Sequence, residues 1–402
     1  MNRLVLSGVL YLVLIIYFVL PGFAQAPDIP EGYHFKIVAN QPATSIKNQY
    51  LSNTCWSFSV LSMLESELIR QGKGEYDLSE MFIVRHVYEE KAVKYVRMHG
   101  SVNFGGGGFF HDVLKIISAY GIVPDEVYSG LTMGEENHIH TEMDNVLKSY
   151  VDDIIQNQNQ KLTPVWHQGF SSLLDSYLGE ISAHFQYDGQ TYDPISFSLK
   201  LGLNPQDFIQ ISSFTHHPFY EQFILEVPDN WAWGSVYNVP LDEMLEIMYH
   251  AIEKGYTIAW SADISEKGFS WQNGIAVVPD IDLTNLEETE REKWMELTQK
   301  EKEKMMFSFN GPVPEKKISQ EFRQTGFDNY TTTDDHGMHI TGLATDKHGN
   351  KYFLVKNSWG LSGSPYNGYL YVSDPYVRFK TIAIIVNKNA LPDRILKKLF
   401  PE

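Results

Sequence analysis

The chain of 402 residues carries one cysteine, Cys55, directly before an apolar helical pattern. In the first turn of a helix, unpaired backbone N–H groups and the helix dipole favour a negative charge, which lowers the pKa of a thiol. Such a thiolate is a nucleophile when a base lies nearby. Gln49, six residues upstream, can donate its side-chain amide to an oxyanion beside the Cys55 backbone N–H. A lone cysteine before an apolar helix is by itself more often a core residue, so Cys55 needs partners elsewhere in the chain.

Candidate partners lie near the end of the chain. His336 opens the segment HGMHITGLA, and Asn357 opens Asn-Ser-Trp-Gly. A turn at residues 348–350 allows the two segments to pair as a hairpin, which would bring His336 and Asn357 to one end of a sheet. An asparagine can hold an imidazole in one tautomer, and Trp359 can shield that hydrogen bond from water. The sequence therefore supplies a base and an orienting residue for a thiol nucleophile.

The elements that must position these residues change in type along the chain. Apolar residues keep helical spacing from Cys55 to Arg70, and two further helical stretches follow. After about residue 331 the sequence alternates as strands do, while the long segment before it reads as mostly helical, apart from a strand at Ile258–Ala262. We therefore expect an α+β fold. Its expected parts are a signal peptide (1–24), an N-terminal half with the nucleophile (25–130), a mostly helical insertion (131–330), and a C-terminal antiparallel β half with His, Asn and the tail (331–402).

The N-terminal 24 residues are typical of a secretory signal peptide. Arg3 is their only charge, an apolar run covers residues 9–20, and the small residues Gly22 and Ala24 precede a cleavage point before Gln25. An uncleaved membrane anchor is the alternative. We expect a periplasmic or secreted protein that has no membrane association after signal cleavage.

Composition excludes several classes of function. Acidic residues outnumber basic ones by 50 to 32, which gives a net charge of -18 and predicts no nucleic-acid partner, because there is no basic excess to neutralise phosphates. A single cysteine excludes an intrachain disulfide, a Cys-rich zinc site and an iron–sulfur cluster held by this chain alone.

The segment Gln49–Phe58 (QYLSNTCWSF) resembles the nucleophile segment of the papain-like cysteine peptidases, and the order Gln, Cys, His, Asn-Ser-Trp-Gly matches them too. Two features depart from papain and the cathepsins. Asn53-Thr54 stands where they carry Gly-Ser, and the separation of Cys55 from His336 is about twice theirs. Both departures resemble the bleomycin hydrolase and aminopeptidase C branch of the clan. Asn48-Gln49, Gly107-Gly108 and His336-Gly337-Met338 match this branch as well.

The resemblance implies a papain-like fold that acts on peptides and needs no metal or cofactor. It implies catalysis by Cys55, His336, Asn357 and Gln49, and substrate binding by Gly107, Gly108 and Trp359. The two glycines are expected to pair with the backbone of a bound peptide, and a plain flexible turn is the alternative. Members of this branch are homohexameric aminopeptidases whose C-terminal tail enters the cleft. The tail of this chain, residues 391–402, is alternatively a surface helix.

Two histidines compete for the role of base. The family places a small apolar pair directly after this histidine and a glycine six residues after it, which His336 satisfies and His339 does not. Alternation along a strand also puts the two on opposite faces, so we predict His336. A metal pair of His336 and His339 has no third ligand at useful spacing, and we predict no metal site. The remaining histidines of interest are interpreted as loop or surface residues: His138, His140, His216 and His217.

Three classes of function remain open. The favoured one is a cysteine peptidase, with an aminopeptidase preferred over a papain-like endopeptidase. The second is another Cys–His acyl-transfer enzyme, such as a transglutaminase or a cell-wall amidase, against which the Gln49 spacing and the Asn-Ser-Trp-Gly motif argue. The third is a catalytically dead binding protein on the same scaffold, which would have no need to keep all four catalytic residue types.

Overall fold

The computed structural model describes residues 32–158, 161–280 and 295–401, so the predicted signal peptide lies outside the described residues. The helices in these ranges are α1 (Cys55–Arg70), α2 (Glu80–Arg97), α3 (Phe110–Tyr120), α4 (Thr141–Ile155), α5 (Val165–Leu178), α6 (Pro194–Leu201), α7 (Leu241–Glu253), α8 (Gln299–Met306), α9 (Gln320–Asp328), α10 (Asp374–Lys380) and α11 (Asp393–Leu399). None of them combines the length and the apolar character that a membrane span needs.

The strands in the same ranges are β1 (Lys36–Asn40), β2 (Phe185–Tyr187), β3 (Gln190–Tyr192), β4 (Phe208–Ser212), β5 (Gln222–Ile224), β6 (Ser235–Asn238), β7 (Ile258–Ala262), β8 (Phe269–Ser270), β9 (Ile275–Ala276), β10 (His336–Thr345), β11 (Lys351–Lys356), β12 (Tyr369–Ser373) and β13 (Thr381–Asn387). The main sheet has the order β5-β6-β4-β13-β7-β10-β11-β12-β9-β8, and β1 pairs with β10 beside this path. Strands β2 and β3 form a separate hairpin.

Strand β10 is central to this sheet. Its first half pairs antiparallel with β7, beginning with His336 opposite Ala262, and its second half pairs with β1. Its other edge pairs antiparallel with β11, so the hairpin predicted from the sequence is present. Because β11 leads directly into Asn357, the hairpin returns that residue to the end of the sheet where β10 begins.

The segment 131–330, predicted as a mostly helical insertion, contains more helix than strand, and it also supplies strands of the main sheet. Helices α4, α5 and α6 occupy its first part, and the predicted strand Ile258–Ala262 is β7. Five more strands of the main sheet, β4, β5, β6, β8 and β9, also come from this segment. They are at most five residues long, and β4 is buried throughout, as β7 is. Such short or fully buried strands lack the alternation of apolar and polar residues that identifies a strand in a sequence.

Helix α1 packs on one face of the sheet and α7 on the other. Ala259 and Ile385 join the apolar cluster around α1, whereas their strand neighbours Trp260 and Ile384 join the cluster around α7. Almost every residue of α1 between its first turn and Leu68 is buried. Since a fully buried large apolar side chain contributes about 1.5–3 kcal/mol, this helix is firmly held in place.

The C-terminal tail forms α11 on the α7 face. Ile395 and Leu399 are buried in the cluster around α7. Arg394 and Lys398 bind Glu243 of α7, with N–O distances of 3.0 and 2.7 Å. The surface-helix alternative therefore agrees with the structure, and this helix lies on the opposite side of the sheet from α1.

Candidate active site

The β10–β11 hairpin brings the predicted base and its orienting residue together. His336 Nε2 lies 2.8 Å from Asn357 Oδ1, and this oxygen also accepts a hydrogen bond from the Ser358 backbone N–H at 2.8 Å. Because a carboxamide oxygen only accepts, Nε2 carries the proton of the neutral imidazole and Nδ1 keeps the free lone pair. The Trp359 ring lies 4.8 Å from the His336 ring, centroid to centroid, and covers this pair. His336 and Asn357 are both buried.

Cys55 lies at the N-terminus of α1, against the start of β10. A Cβ at Gly337 would lie 3.2 Å from the Cys55 carbonyl oxygen and 2.8 Å from Ser59 Oγ, so glycine is what lets the strand approach the helix this closely. The backbone N–H groups of Gly337 and Trp56 lie close enough to the Cys55 sulfur to favour its thiolate and lower its pKa. The thiol is therefore held beside the residue that follows His336.

The protonation of the pair differs from the sequence expectation of a lowered thiol pKa. Burial raises the pKa of Cys55, and the N–H of Gly337 opposes that shift. Two carboxylates, Asp334 and Asp229, raise the pKa of the thiol further. Burial also lowers the pKa of His336 to about 4, against the hydrogen bond to Asn357, which raises it. Desolvation penalises both charged forms, so the resting state is a neutral thiol beside a neutral imidazole.

Gln49 is held by Ser358, the residue that follows Asn357. Its backbone N–H donates to the Ser358 carbonyl at 2.8 Å, and its side-chain Oε1 accepts from Ser358 Oγ at 2.6 Å. Since Oε1 is the acceptor, Nε2 is left as a donor for another group. Neighbouring backbone contacts, between Asn48 and Trp359, fix the two segments side by side. Ser358 is a positioning residue that sequence reasoning missed, although it lies within the Asn-Ser-Trp-Gly motif.

Gly107 and Gly108 lie beside the first turn of α1. Trp56 Nε1 donates to the Gly106 carbonyl at 3.0 Å, and a Cβ at Gly108 would lie 2.7 Å from the Trp56 ring. The buried Lys91 ammonium donates to the carbonyl of Gly105 at 2.8 Å and also to that of Gly107. Lys91 therefore holds the glycine loop (Gly105–Gly108) against α1, and the Gly107 carbonyl is already engaged. No motif in the sequence pointed to Lys91.

Comparisons with known proteins agree with this geometry. Residues 320–401 match the model of the Peptidase C1-like family. Aminopeptidase C of Lactobacillus delbrueckii subsp. lactis is 21% identical over 410 residues, which cover 89% of this chain and 82% of that protein. The crystal structure of PepW from Lactobacillus rhamnosis HN001 superposes with a TM-score of 0.65 at 17% identity and covers 90% of this chain and 84% of PepW. The chain is a cysteine peptidase with a papain-like fold.

His339, the other histidine of β10, makes contacts that hold α1 against the sheet. His339 Nδ1 lies 2.9 Å from Ser62 Oγ on α1, and the buried Lys356 ammonium donates to the same hydroxyl at 2.7 Å. Burial lowers the pKa of His339 and lowers that of Lys356 to about 8. These three side chains tie α1 to β10 and β11, further along the helix than Cys55.

A buried carboxylate holds the peptidase loop that leads into His336. Asp263 follows β7 and accepts hydrogen bonds from the Ser265 and Thr333 backbone N–H groups at 2.9 and 3.1 Å. The buried Lys380 ammonium lies 3.2 Å from the same carboxylate. Because β7 ends opposite the start of β10, Asp263 positions the loop and through it His336. The sequence placed Asp263 after a strand without indicating this role.

The histidines predicted as loop or surface residues differ in burial. His216 and His217 lie at the surface and both contact the Glu226 carboxylate at 3.1 Å, the only group in the described ranges with metal-ligand geometry. Gln324 donates to His216 Nδ1, so His216 Nε2 is the protonated nitrogen and a donor to Glu226 rather than a metal ligand. His140 lies in the loop before α4, in agreement with its interpretation as a loop or surface residue, and its side chain is buried.

Proposed function

We propose that this peptidase is an aminopeptidase that works through a thioester acyl-enzyme. Cys55 is the nucleophile, His336 the general base and acid, Asn357 the group that orients the imidazole, and Gln49 an oxyanion donor. The observation that carries the assignment is the continuous array of hydrogen bonds that links the Gln49 amide through Ser358 and Asn357 to His336. The relation to an aminopeptidase C along most of both chains supports the exopeptidase mode.

The reaction begins from the neutral pair. The proton of the Cys55 thiol passes to His336 Nδ1 as Sγ attacks the carbonyl carbon of the substrate. The oxygen that becomes negative accepts hydrogen bonds from Gln49 Nε2 and the Cys55 N–H. The imidazolium then protonates the leaving amine, which departs and leaves a thioester on Cys55. In the second half, Nδ1 takes a proton from water, and the resulting hydroxide hydrolyses the thioester and restores the thiol.

The hydrogen-bonded array from Gln49 to His336 consists of neutral dipoles, which suits a reaction that starts from neutral groups. Burial disfavours a permanent thiolate–imidazolium pair, whereas the preoriented donors act when negative charge develops on the substrate oxygen. The four residues need no metal ion or cofactor for this chemistry.

Cleavage of the N-terminal segment and the assembly state belong to the same proposal. We expect a mature chain that begins at Gln25 in an exported compartment, which N-terminal sequencing of protein from fractionated cells would test. The family resemblance predicts a homohexamer that binds peptide substrates, and light scattering of purified protein would measure its mass.

The decisive assay compares two substrates under reducing conditions. Purified protein from residue 25 onward and its Cys55→Ala variant are incubated with an aminoacyl fluorogenic amide that has a free N-terminus, and with the N-acylated form. We expect the wild type to prefer the free amine and Cys55→Ala to lose all of this turnover. Equal turnover by both proteins would contradict the role of Cys55.

One observation favours an endopeptidase as the second candidate. Residues Asp393–Leu399 pack on α7, on the face of the sheet away from α1, instead of entering the cleft. A papain-like site with an open cleft cuts within chains. If wild-type protein prefers the acylated substrate, this second candidate replaces the first.

A further inference from the structure

An aminopeptidase must bind the free α-ammonium of its substrate. In the thioester formed with an N-terminal residue, the α-nitrogen is three bonds from Cys55 Sγ. Its partner therefore has to be an anionic group on the cleft wall beside the nucleophile, since a charged hydrogen bond needs a donor–acceptor distance of about 2.7–2.9 Å. The helix Asp393–Leu399 does not provide that group, because it lies on the α7 face.

The Asp229 carboxylate lies over the glycine loop. A Cβ added to Gly107 would overlap both carboxylate oxygens of Asp229. Gly107 belongs to the loop that Lys91 pins against the first turn of α1, next to Trp56. Asp229 is also close enough to Cys55 for its charge to raise the pKa of the thiol. The carboxylate thus lies beside Gly107, within electrostatic reach of the Cys55 sulfur.

The turn that carries Asp229 is braced on both sides. Asn230 Nδ2 donates to the carbonyls of Leu225 and Gly234, each at 2.9 Å, and Asn230 Oδ1 accepts from the Gly234 N–H. Trp231 Nε1 donates to Asp112 of α3 at 2.8 Å. These bonds preorganise the turn, so the carboxylate is held over Gly107 instead of being free to move into water.

The carboxylate keeps acceptor capacity for a ligand. Asn103 Nδ2 donates to Asp229 Oδ1 at 2.9 Å, and Oδ2 has no hydrogen-bond donor among the described residues. Lys91 is the nearby cation whose charge acts on Asp229, but its ammonium donates to the carbonyls of Gly105 and Gly107. Asp229 remains partly exposed, so a ligand in the cleft can reach it.

Asp334 is the other carboxylate near the thiol, and it is the weaker candidate. Its Oδ1 accepts a hydrogen bond from Ser261 Oγ at 2.6 Å. Burial and the charge of Asp229 raise the pKa of Asp334 to about 7, so it carries only part of a negative charge near neutral pH. Asp229 is the group with both a free oxygen and a position over the glycine loop.

We propose that Asp229 is the specificity-determining residue that binds the free α-ammonium of the substrate and blocks longer peptides at Gly107. This inference rests on the proposed aminopeptidase function and adds the group that enforces it. The carboxylate occupies the space above Gly107, where the next residue of a longer peptide would otherwise pair with the loop. One side chain thus attracts the charged N-terminus of a substrate and excludes an N-acylated substrate.

Four proteins test the assignment with the free and the N-acetylated forms of one aminoacyl fluorogenic amide. Asp229→Asn keeps the shape and removes the charge, and we expect kcat/KM for the free amine to fall about 10- to 100-fold, mainly through KM. Asp229→Glu should restore part of this loss. Asp229→Gly removes the block as well and should gain turnover of the N-acetylated substrate. Glu226→Gln removes a charge from the same segment outside the cleft and should retain wild-type preference.

The pH profile supplies a readout that a structural role would not move. Burial raises the pKa of Asp229, so wild-type kcat/KM for the free amine should fall as acid neutralises the carboxylate. Asp229→Asn should lose this part of the acid limb and keep only the part that protonation of His336 causes. Alkylation of Cys55 by iodoacetamide and thermal melting show whether each variant keeps its site and fold. If Asp229→Asn has a lower melting temperature than the wild type, Asp229→Glu and Asp229→Gly still test the role of Asp229.

The outcomes separate this inference from the function on which it rests. Wild-type preference for the free amine, together with the same preference in Asp229→Asn and Asp229→Gly, would overturn the role of Asp229 alone. A wild-type enzyme that cleaves the acetylated substrate at least as well as the free one would overturn both proposals. Loss of preference in the Asp229 variants with wild-type preference in Glu226→Gln supports both.

Discussion

Two regions near Cys55 are built from different kinds of interaction. One is the β10–β11 hairpin, and the other, here called the wall, is the glycine loop with Lys91 and Asp229. At the hairpin, hydrogen bonds between neutral groups link His336 to Asn357 and, through Ser358, to Gln49. On the wall, the ammonium of Lys91 and the carboxylate of Asp229 face the same glycine loop. Neutral dipoles respond to charge that develops during a reaction, whereas fixed charges select a ligand before it reacts. In the mechanism we propose, the groups that perform the chemistry are thus separate from those that choose the substrate.

The largest expected effect comes from breaking the hairpin side. Asn357→Ala removes the acceptor that holds His336 Nε2, so the imidazole loses its fixed tautomer and orientation. We expect kcat to fall about 10- to 100-fold with little change in KM, measured by steady-state kinetics on a free aminoacyl amide. Asn350→Ala is the matched control, since Asn350 lies in the turn of the same hairpin and binds Asp346 instead. Wild-type kcat in Asn357→Ala would contradict the orienting role.

A smaller effect should follow from changing the charges near the thiol. Ionised Asp334 and Asp229 raise the pKa of Cys55, so removing either charge should lower it. In Asp334→Asn, the rate of Cys55 alkylation by iodoacetamide should therefore rise at a lower pH than in the wild type, because the thiolate forms earlier. The rate is followed by mass spectrometry across pH. An alkylation profile that moves to higher pH would contradict the electrostatic account, and Glu226→Gln serves as the control.

The smallest effect on activity is expected for the tail. Leu399→Ala removes a buried side chain from the contact of α11 with α7, and we expect a loss of about 2–4 kcal/mol in the free energy of unfolding. The preference for a free N-terminus should stay as in the wild type, because this helix lies on the far face of the sheet. Urea denaturation and the two-substrate assay measure the two effects. A selective loss of turnover of the free amine would show that the tail reaches the cleft.

Sequence patterns predicted the hairpin side well and the wall poorly. The hairpin is local: a turn at residues 348–350 joins two strands, so the spacing of His336 and Asn357 already implies that they meet. The wall joins Asp229 to Gly107 and Lys91 across more than a hundred residues, and nothing in the local pattern links them. Strands β4, β5, β6, β8 and β9 were missed for a related reason, because short or buried strands carry no alternating pattern.

The environment of the thiol shows the limit of local reasoning most clearly. Position at the start of a helix predicts a lowered pKa for Cys55, since the N–H groups there favour a negative charge. The structure adds burial and two carboxylates, which together raise the pKa. Desolvation depends on everything packed around the sulfur, and the first turn of one helix contributes only part of that.

The sequence alone identified four features of the site, because each depends on residue type and local separation. They are the single cysteine, the Gln49 spacing, the two candidate histidines and the Asn-Ser-Trp-Gly motif. Only the tertiary structure decided that the tail helix packs on α7 and that Asp229 covers Gly107. Contacts between distant segments are chosen by burial and packing of the whole chain, so the groups that would select this peptidase's substrates cannot be located from sequence spacing.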